Sequence, residues 1–274
     1  MNASTSRAFY YHADASPIGG HLTKPVKTVI NTRGSASLAQ AGGHAHRRTG
    51  SFRLKEILSV KQARSEIFGT VDKETGDWST VTTSVIEGLN LLDTLKADTI
   101  ASRLVVTHPR ERRYPTVNFV GSQIENLTVA GSKVDIDFDL GQFSRGLEHG
   151  HMGDCPWAEE RSFVERATEQ HRAMVGMSGA PDWMLQRFGW MCNAEGPQQR
   201  GYVLCSLVKG LRVTHPNLTF GHVLHVPDFG NLFLGELLVY QHSYRLTMLR
   251  AELGCAAEGV VSFASDGSNG SPMP

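Results

Sequence analysis

The chain has 274 residues, 40% of them hydrophobic and 20% charged, which excludes a disordered or low-complexity polymer and leaves room for a large domain with its own core. Lys plus Arg and Asp plus Glu number 27 each, so there is no overall basic field to gather nucleic acid or an anionic membrane surface. No apolar run is long enough to span a bilayer, and the N-terminal MNASTSRAFYYHADASPIGG lacks the apolar stretch of a secretory signal, so a cytoplasmic protein with no transmembrane segment is expected.

In chain order, Phe9 to Pro17 is aromatic and Gly19-Gly20 reads as a turn. Lys24 to Thr32 reads as a short strand, and Gly34 to Arg48, rich in Gly, Ala, Ser and His, as a mobile loop. Ser51 to Val71 mixes helical and alternating spacing; the β context favours two strands, closed by a polar turn at Asp72 to Asp77. Trp78 to Leu140 is dense in Val, Ile, Leu and Thr and alternates apolar with polar, the pattern of strands buried on one face. Within it Val81, Thr83 and Val85 share one face and Thr80, Thr82, Ser84 and Ile86 the other, Gly88 marks a bend, and Ala130-Gly131 is a turn.

After Leu140 the character changes. Asp154, Cys155 and Pro156 before Trp157, with Glu159 and Glu160 following, form a helix start. Trp157, Val164, Ala167, His171 and Met174 recur at helical spacing, Pro181-Asp182 opens a shorter helix, and Asn193 to Gly201 is a loop. The spacing therefore predicts a helical insertion over about 157–191. Strands resume at Tyr202 to Thr214, His222 to Val226, Asn231 to Tyr240, Ser243 to Leu253 and Gly259 to Ala264, and 265–274 reads as a disordered tail. The expected fold is mainly β, a β-sandwich or β-solenoid-like single domain over 1–274 with that insertion; patterning alone does not choose between the closures.

Four sets of residues have metal-binding chemistry or its outline. His149 and His151 in GLEHGHMGDC lie close to Asp154 and Cys155, a set that a glycine-rich loop can fold around zinc, where the ion would activate a water for hydrolysis. Asp135, Asp137 and Asp139 alternate along one strand; they are either a calcium-binding row or charges that block edge pairing. His222 and His225, three apart, point to opposite faces of a strand, and His44 and His46 fall in the segment read as mobile. Neither a GxSxG elbow nor a phosphate or dinucleotide loop occurs, so no catalytic residues and no bound cofactor are expected, zinc and calcium being the ions the acidic and histidine sets would take. Trp157, Trp183, Phe188 and Trp190 give the insertion aromatic anchors for a protein partner or for self-association, or else pack it onto the sheet.

Four phrases, Gly88 to Asp98 (GLNLLDTLKAD), Ile124 to Val134 (IENLTVAGSKV), Gly230 to Val239 (GNLFLGELLV) and Arg245 to Gly254 (RLTMLRAELG), resemble in order and style the bacterial choice-of-anchor proteins, particularly the P group. That resemblance implies a β-rich, non-enzymatic structural or interaction scaffold, often at the cell surface, with no catalytic residues to transfer. A metal-dependent hydrolase and a calcium- or ligand-binding β module are the alternatives.

Overall fold

The computed structural model describes residues 8–110, 115–141, 161–213, 219–240, 243–254 and 257–272. Thirteen longer strands carry the fold: β1 (Ala13–Lys24), β2 (Thr28–Arg33), β3 (Gly43–Thr49), β4 (Gln62–Val71), β5 (Trp78–Leu91), β6 (Leu95–His108), β7 (Ser132–Phe138), β8 (Tyr202–Ser206), β9 (Val208–Val213), β10 (Val223–Val226), β11 (Gly230–Tyr240), β12 (Ser243–Gly254) and β13 (Glu258–Ser268). The helices are α1 (Arg161–Val175), α2 (Asp182–Phe188) and α3 (Glu195–Arg200), with a 3-10 turn over Gly189–Cys192.

Two antiparallel sheets face each other. The first has eleven strands, running from β9 through β7 to β6 and β5, with β4 against β5 and β3 at the edge beyond it. The second has nine and runs β10, β11, β12, β13, β1, β2, with β8 beside β11. This is a β-sandwich with a small helical insertion, and the main core fills the space between the sheets with residues such as Ile86, Ile100 and Leu104 from the first and Leu246, Leu249 and Phe263 from the second. The sandwich, rather than the solenoid, follows from long hairpin pairings such as β5 with β6, where Trp78 to Leu91 is matched against Leu95 to His108.

The alternation in β5 is real, but its inward face is the polar one. Thr80, Thr82 and Ser84 are buried while Val81 and Thr83 are half-exposed. Ser65, Ser84 and Ser102 are paired neighbours across β4, β5 and β6, forming a buried hydroxyl row. Small side chains there leave space for Asp266 of β13, which enters from the opposite sheet and accepts a 2.6 Å hydrogen bond from Ser84 Oγ.

Several expectations are corrected. Residues 265–272 of the segment read as a disordered tail are ordered: Ser265 to Ser268 complete β13 between β1 and β12, and Ser271–Pro272 pairs with Phe9–Tyr10. Its Ser, Asp and Gly composition signals a loop, but two flanking strands supply the backbone partners that override propensity. The segment read as a mobile loop contains β3, a basic edge strand paired with β4, and Gly19-Gly20 runs through β1 instead of turning. The insertion continues past 191, because α3 occupies most of the segment read as a loop after it; residues 157–160 lie outside the described residues. Among the described residues no helix is long and apolar enough to cross a membrane.

Candidate functional site

The site sits at a corner where one chain segment passes from sheet to sheet. β8 belongs to the second sheet and β9 to the first, with the fully buried Leu207 between them. Leu207 N donates to Gly235 O at 2.8 Å, and Leu207 O accepts from Asp139 N at 2.9 Å, so the corner is bonded to both layers. Gly235 bends β11 here with φ +59, a conformation in which side chains other than hydrogen are strained.

Helix α1 docks on this corner through Gln170. Its Nε2 donates to Ser206 O at 2.9 Å and Val208 O at 3.3 Å, and its Oε1 accepts from Ser206 N at 2.8 Å. One turn to either side on the same helix face lie Arg166 and Met174. Met174 rests on Gly221, where a Cβ would stand 3.2 Å from its side chain. Between α1, the corner and the start of β10 lies a cleft of about 570 Å³, lined by Arg166, Met174, Val208, Lys209 and His222 among others.

Two features of this cleft lack partners. Arg166 is half-buried, and its Nε and Nη2 are shielded from solvent and without a hydrogen-bond acceptor among the described residues. His222 is 1% exposed, with neither ring nitrogen hydrogen-bonded. Behind it His171 is fully buried, its ring 6.0 Å from that of His222. His171 Nδ1 donates to Ala167 O at 2.8 Å, which leaves Nε2 as the lone-pair nitrogen, with nothing to accept from. Burial pulls His171 down to about 4. Burial, then the neighbouring His171, Arg250 and Arg187, holds His222 well below the usual imidazole range. Both imidazoles are thus neutral at pH 7.

A charge network closes the far side. Arg250 is gripped through Nε and Nη2 by the two Glu236 oxygens, both at 2.7 Å, and also meets Glu252. Arg187 of α2 binds Glu252 at 2.6 and 2.7 Å. Both guanidinium groups lie over Phe233, at 3.9 Å for Arg250 and 4.7 Å for Arg187.

Of the residues expected from sequence, His149, His151, Asp154, Cys155 and Trp157 lie outside the described residues, so the zinc reading gains nothing from geometry. Asp135 and Asp137 are exposed on β7, and Lys133 bonds Asp135 at 2.7 Å, lowering its pKa. Asp139 lies past the end of β7, so the row does not continue along one face; it accepts from Gly141 N at 3.1 Å and lines the cleft. Among the described residues no three His, Cys, Asp or Glu side chains stand together as a metal-binding group. Phe188 is not a partner anchor: it is 1% exposed and packs the insertion onto the sheet beside Phe233. Trp183 and Trp190 are half-buried, Trp183 edge-on to Phe233 and Trp190 edge-on to Tyr202 at 4.8 Å. His44 stacks on Phe68 at 4.3 Å on the exposed edge. His225 bonds Asn231 at 2.8 Å.

Sequence reasoning passed over Arg166, Gln170 and Asp266. For Arg166 and Gln170 a signal was present: they sit at i and i+4 on the apolar stripe of α1, ending at Met174, where polar residues need a reason to face inward.

No curated protein and no solved structure matches this chain. A family model described as a domain of unknown function (DUF8256) matches residues 9–240, which include both sheets' first strands, the insertion and the cleft, and the chain belongs to that family.

Proposed function

We propose that the chain is a non-enzymatic binding scaffold, a β-sandwich that holds a helical insertion over the inter-sheet corner and offers the cleft beneath α1 to a ligand. One observation carries this reading: a cleft of about 570 Å³ lined by a guanidinium and an imidazole, neither of which has, among the described residues, a hydrogen-bond partner on its buried nitrogens. Buried polar groups are normally satisfied, and a few that are not, gathered at one concave place, are the mark of a binding site. A scaffold role also agrees with the resemblance to choice-of-anchor proteins.

The test is a ligand-observed NMR screen of a small soluble fragment set against the wild-type chain and an Ala173→Trp variant. Ala173 is exposed on α1 and lines the cleft, so the indole fills the space without entering the core. Fragment hits lost in the variant support the reading; hits that persist unchanged, or a wild-type chain with no hits, refute it.

A further inference from the structure

We propose that the cleft takes an aliphatic monocarboxylate, its carboxylate received by Arg166 and its hydrocarbon chain laid along Ala173, Met174, Met177 and Val208. This rests on the reading of the cleft as a binding site and names the ligand class.

An imidazole escapes the cost of burial by losing its proton, as His171 and His222 do. A guanidinium cannot, because it stays charged at every pH a protein survives. Leaving the shielded edge of such a cation unpaired is unfavourable, so an arginine in that position implies an anion. The more deeply buried Arg250 nearby obeys the rule, since it is held by Glu236 and Glu252. Among the described residues Arg166 has no acceptor on Nε or Nη2. Those two nitrogens form one edge of the guanidinium, the edge that matches a carboxylate with two parallel hydrogen bonds. Arg187 and Arg250 show this kind of two-point grip on Glu252 and Glu236.

The walls then narrow the class. Asp139 and Glu169 are on the lining and Lys209 is the second cation there, so the charges of the described side chains around the cleft balance. A dianion such as phosphate meets two carboxylates for the two cations it would need, whereas a single carboxylate needs Arg166 alone. Ala173, Met174, Met177 and Val208 give the rest of the ligand an apolar track, and methionine adapts to chains of different shape. The Gln170 clamp on Ser206 and Val208 fixes the backbone of α1, so only the outer torsions of Arg166 need to turn for its unpaired edge to meet the ligand.

The experiment is calorimetric titration of the full chain with octanoate, beside 1-octanol and inorganic phosphate, repeated on R166Q and A173W. Saturable octanoate binding is expected in the wild type, weaker by about tenfold or more in R166Q and lost in A173W, with octanol weaker by about tenfold and phosphate failing to compete. If R166Q does not fold, Arg166→Lys, which keeps the charge but loses the two-point edge, is expected to bind octanoate measurably less well than wild type. Equal binding of octanol and octanoate, unchanged binding in R166Q or R166K, or competition by phosphate overturns the carboxylate assignment while loss in A173W preserves the cleft. Octanoate binding that survives in A173W, or no binding to the wild type, overturns both.

Discussion

Asp266 shows how far a single side chain can depart from what its neighbours in sequence suggest. It sits in SDGS near the C-terminus, yet it is fully buried between the sheets, and burial, only partly offset by Ser84 and Ser102, raises its pKa to about 7. Its Oδ2 has no hydrogen-bond partner, so the protonated form is the one the interior accepts. The unfolded chain releases this proton near pH 4 and the folded chain only near 7. The resulting stability is complete below pH 4 and is lost as pH rises to 7, a change of roughly 4 kcal/mol at most. Asp266→Asn keeps the shape and an acceptor for Ser84 without the titration. Its stability relative to wild type should therefore increase steadily between pH 4 and 8, measured by urea unfolding; a difference that does not vary with pH would contradict the burial argument.

At the scale of elements, α1 and the sheet corner stand or fall together. Gln170 makes three hydrogen bonds to one short stretch of backbone, and it is the polar tie between helix and corner. Gln170→Ala leaves Ser206 N and the two carbonyls facing a buried gap, so a loss of about 1–3 kcal/mol is expected, with faster amide exchange at Ser206 and in α1 but not in β5 or β6. Uniform exchange across both regions would mean the helix is not a separable layer. What the sequence disclosed here follows from period and length. The long alternating strands β5 and β6 were legible, as were Val164, Ala167, His171 and Met174 on one face of α1, all of them buried. The direction of β5 was not, because Thr80, Thr82 and Ser84 turned inward while Val81 turned out, and a pattern of period two marks two faces without saying which is the core. β3 and the end of β13 were hidden because GHAHRRT and SDGS carry loop composition and are strands only through partners distant in sequence. The candidate site was hidden for the same reason: Arg166, Val208 and His222 meet only once β8 has crossed to β9. The matched family region ends at 240, whereas β12 and β13 lie in the interior of the second sheet, so the folded unit extends beyond it.

For the whole molecule, the two buried histidines and the buried aspartate oppose one another in how stability depends on pH. From about pH 4 to 6.5 the unfolded chain carries protons on His171 and His222 that the folded chain refuses, while the folded chain keeps one on Asp266 that the unfolded chain has lost. The unfolded state thus binds at most one more proton from these three groups, and stability should rise with pH by at most about 1.4 kcal/mol per pH unit across that window. Glu252 adds in the same direction at its acid end: burial works to raise its pKa, but Arg187 and Arg250 outweigh it and hold it below the carboxylate range. Above pH 6.5 the histidines no longer contribute and Asp266 alone turns the slope downward, so stability peaks near neutrality. The two effects also sit in different places. His171 and His222 hold α1 against the second sheet, and Asp266 lies between the sheets, so acid loosens the helical layer while the sandwich persists. Urea unfolding at intervals between pH 5 and 7, above the range of the paired carboxylates, separates the contributions. The wild type should gain stability up to about pH 6.5, and a His171→Asn, His222→Gln double variant should lose stability over the same interval, because Asp266 is then the buried group left to set the slope. A double variant whose stability still rises with pH would show that the histidines are not the groups that set the acid side.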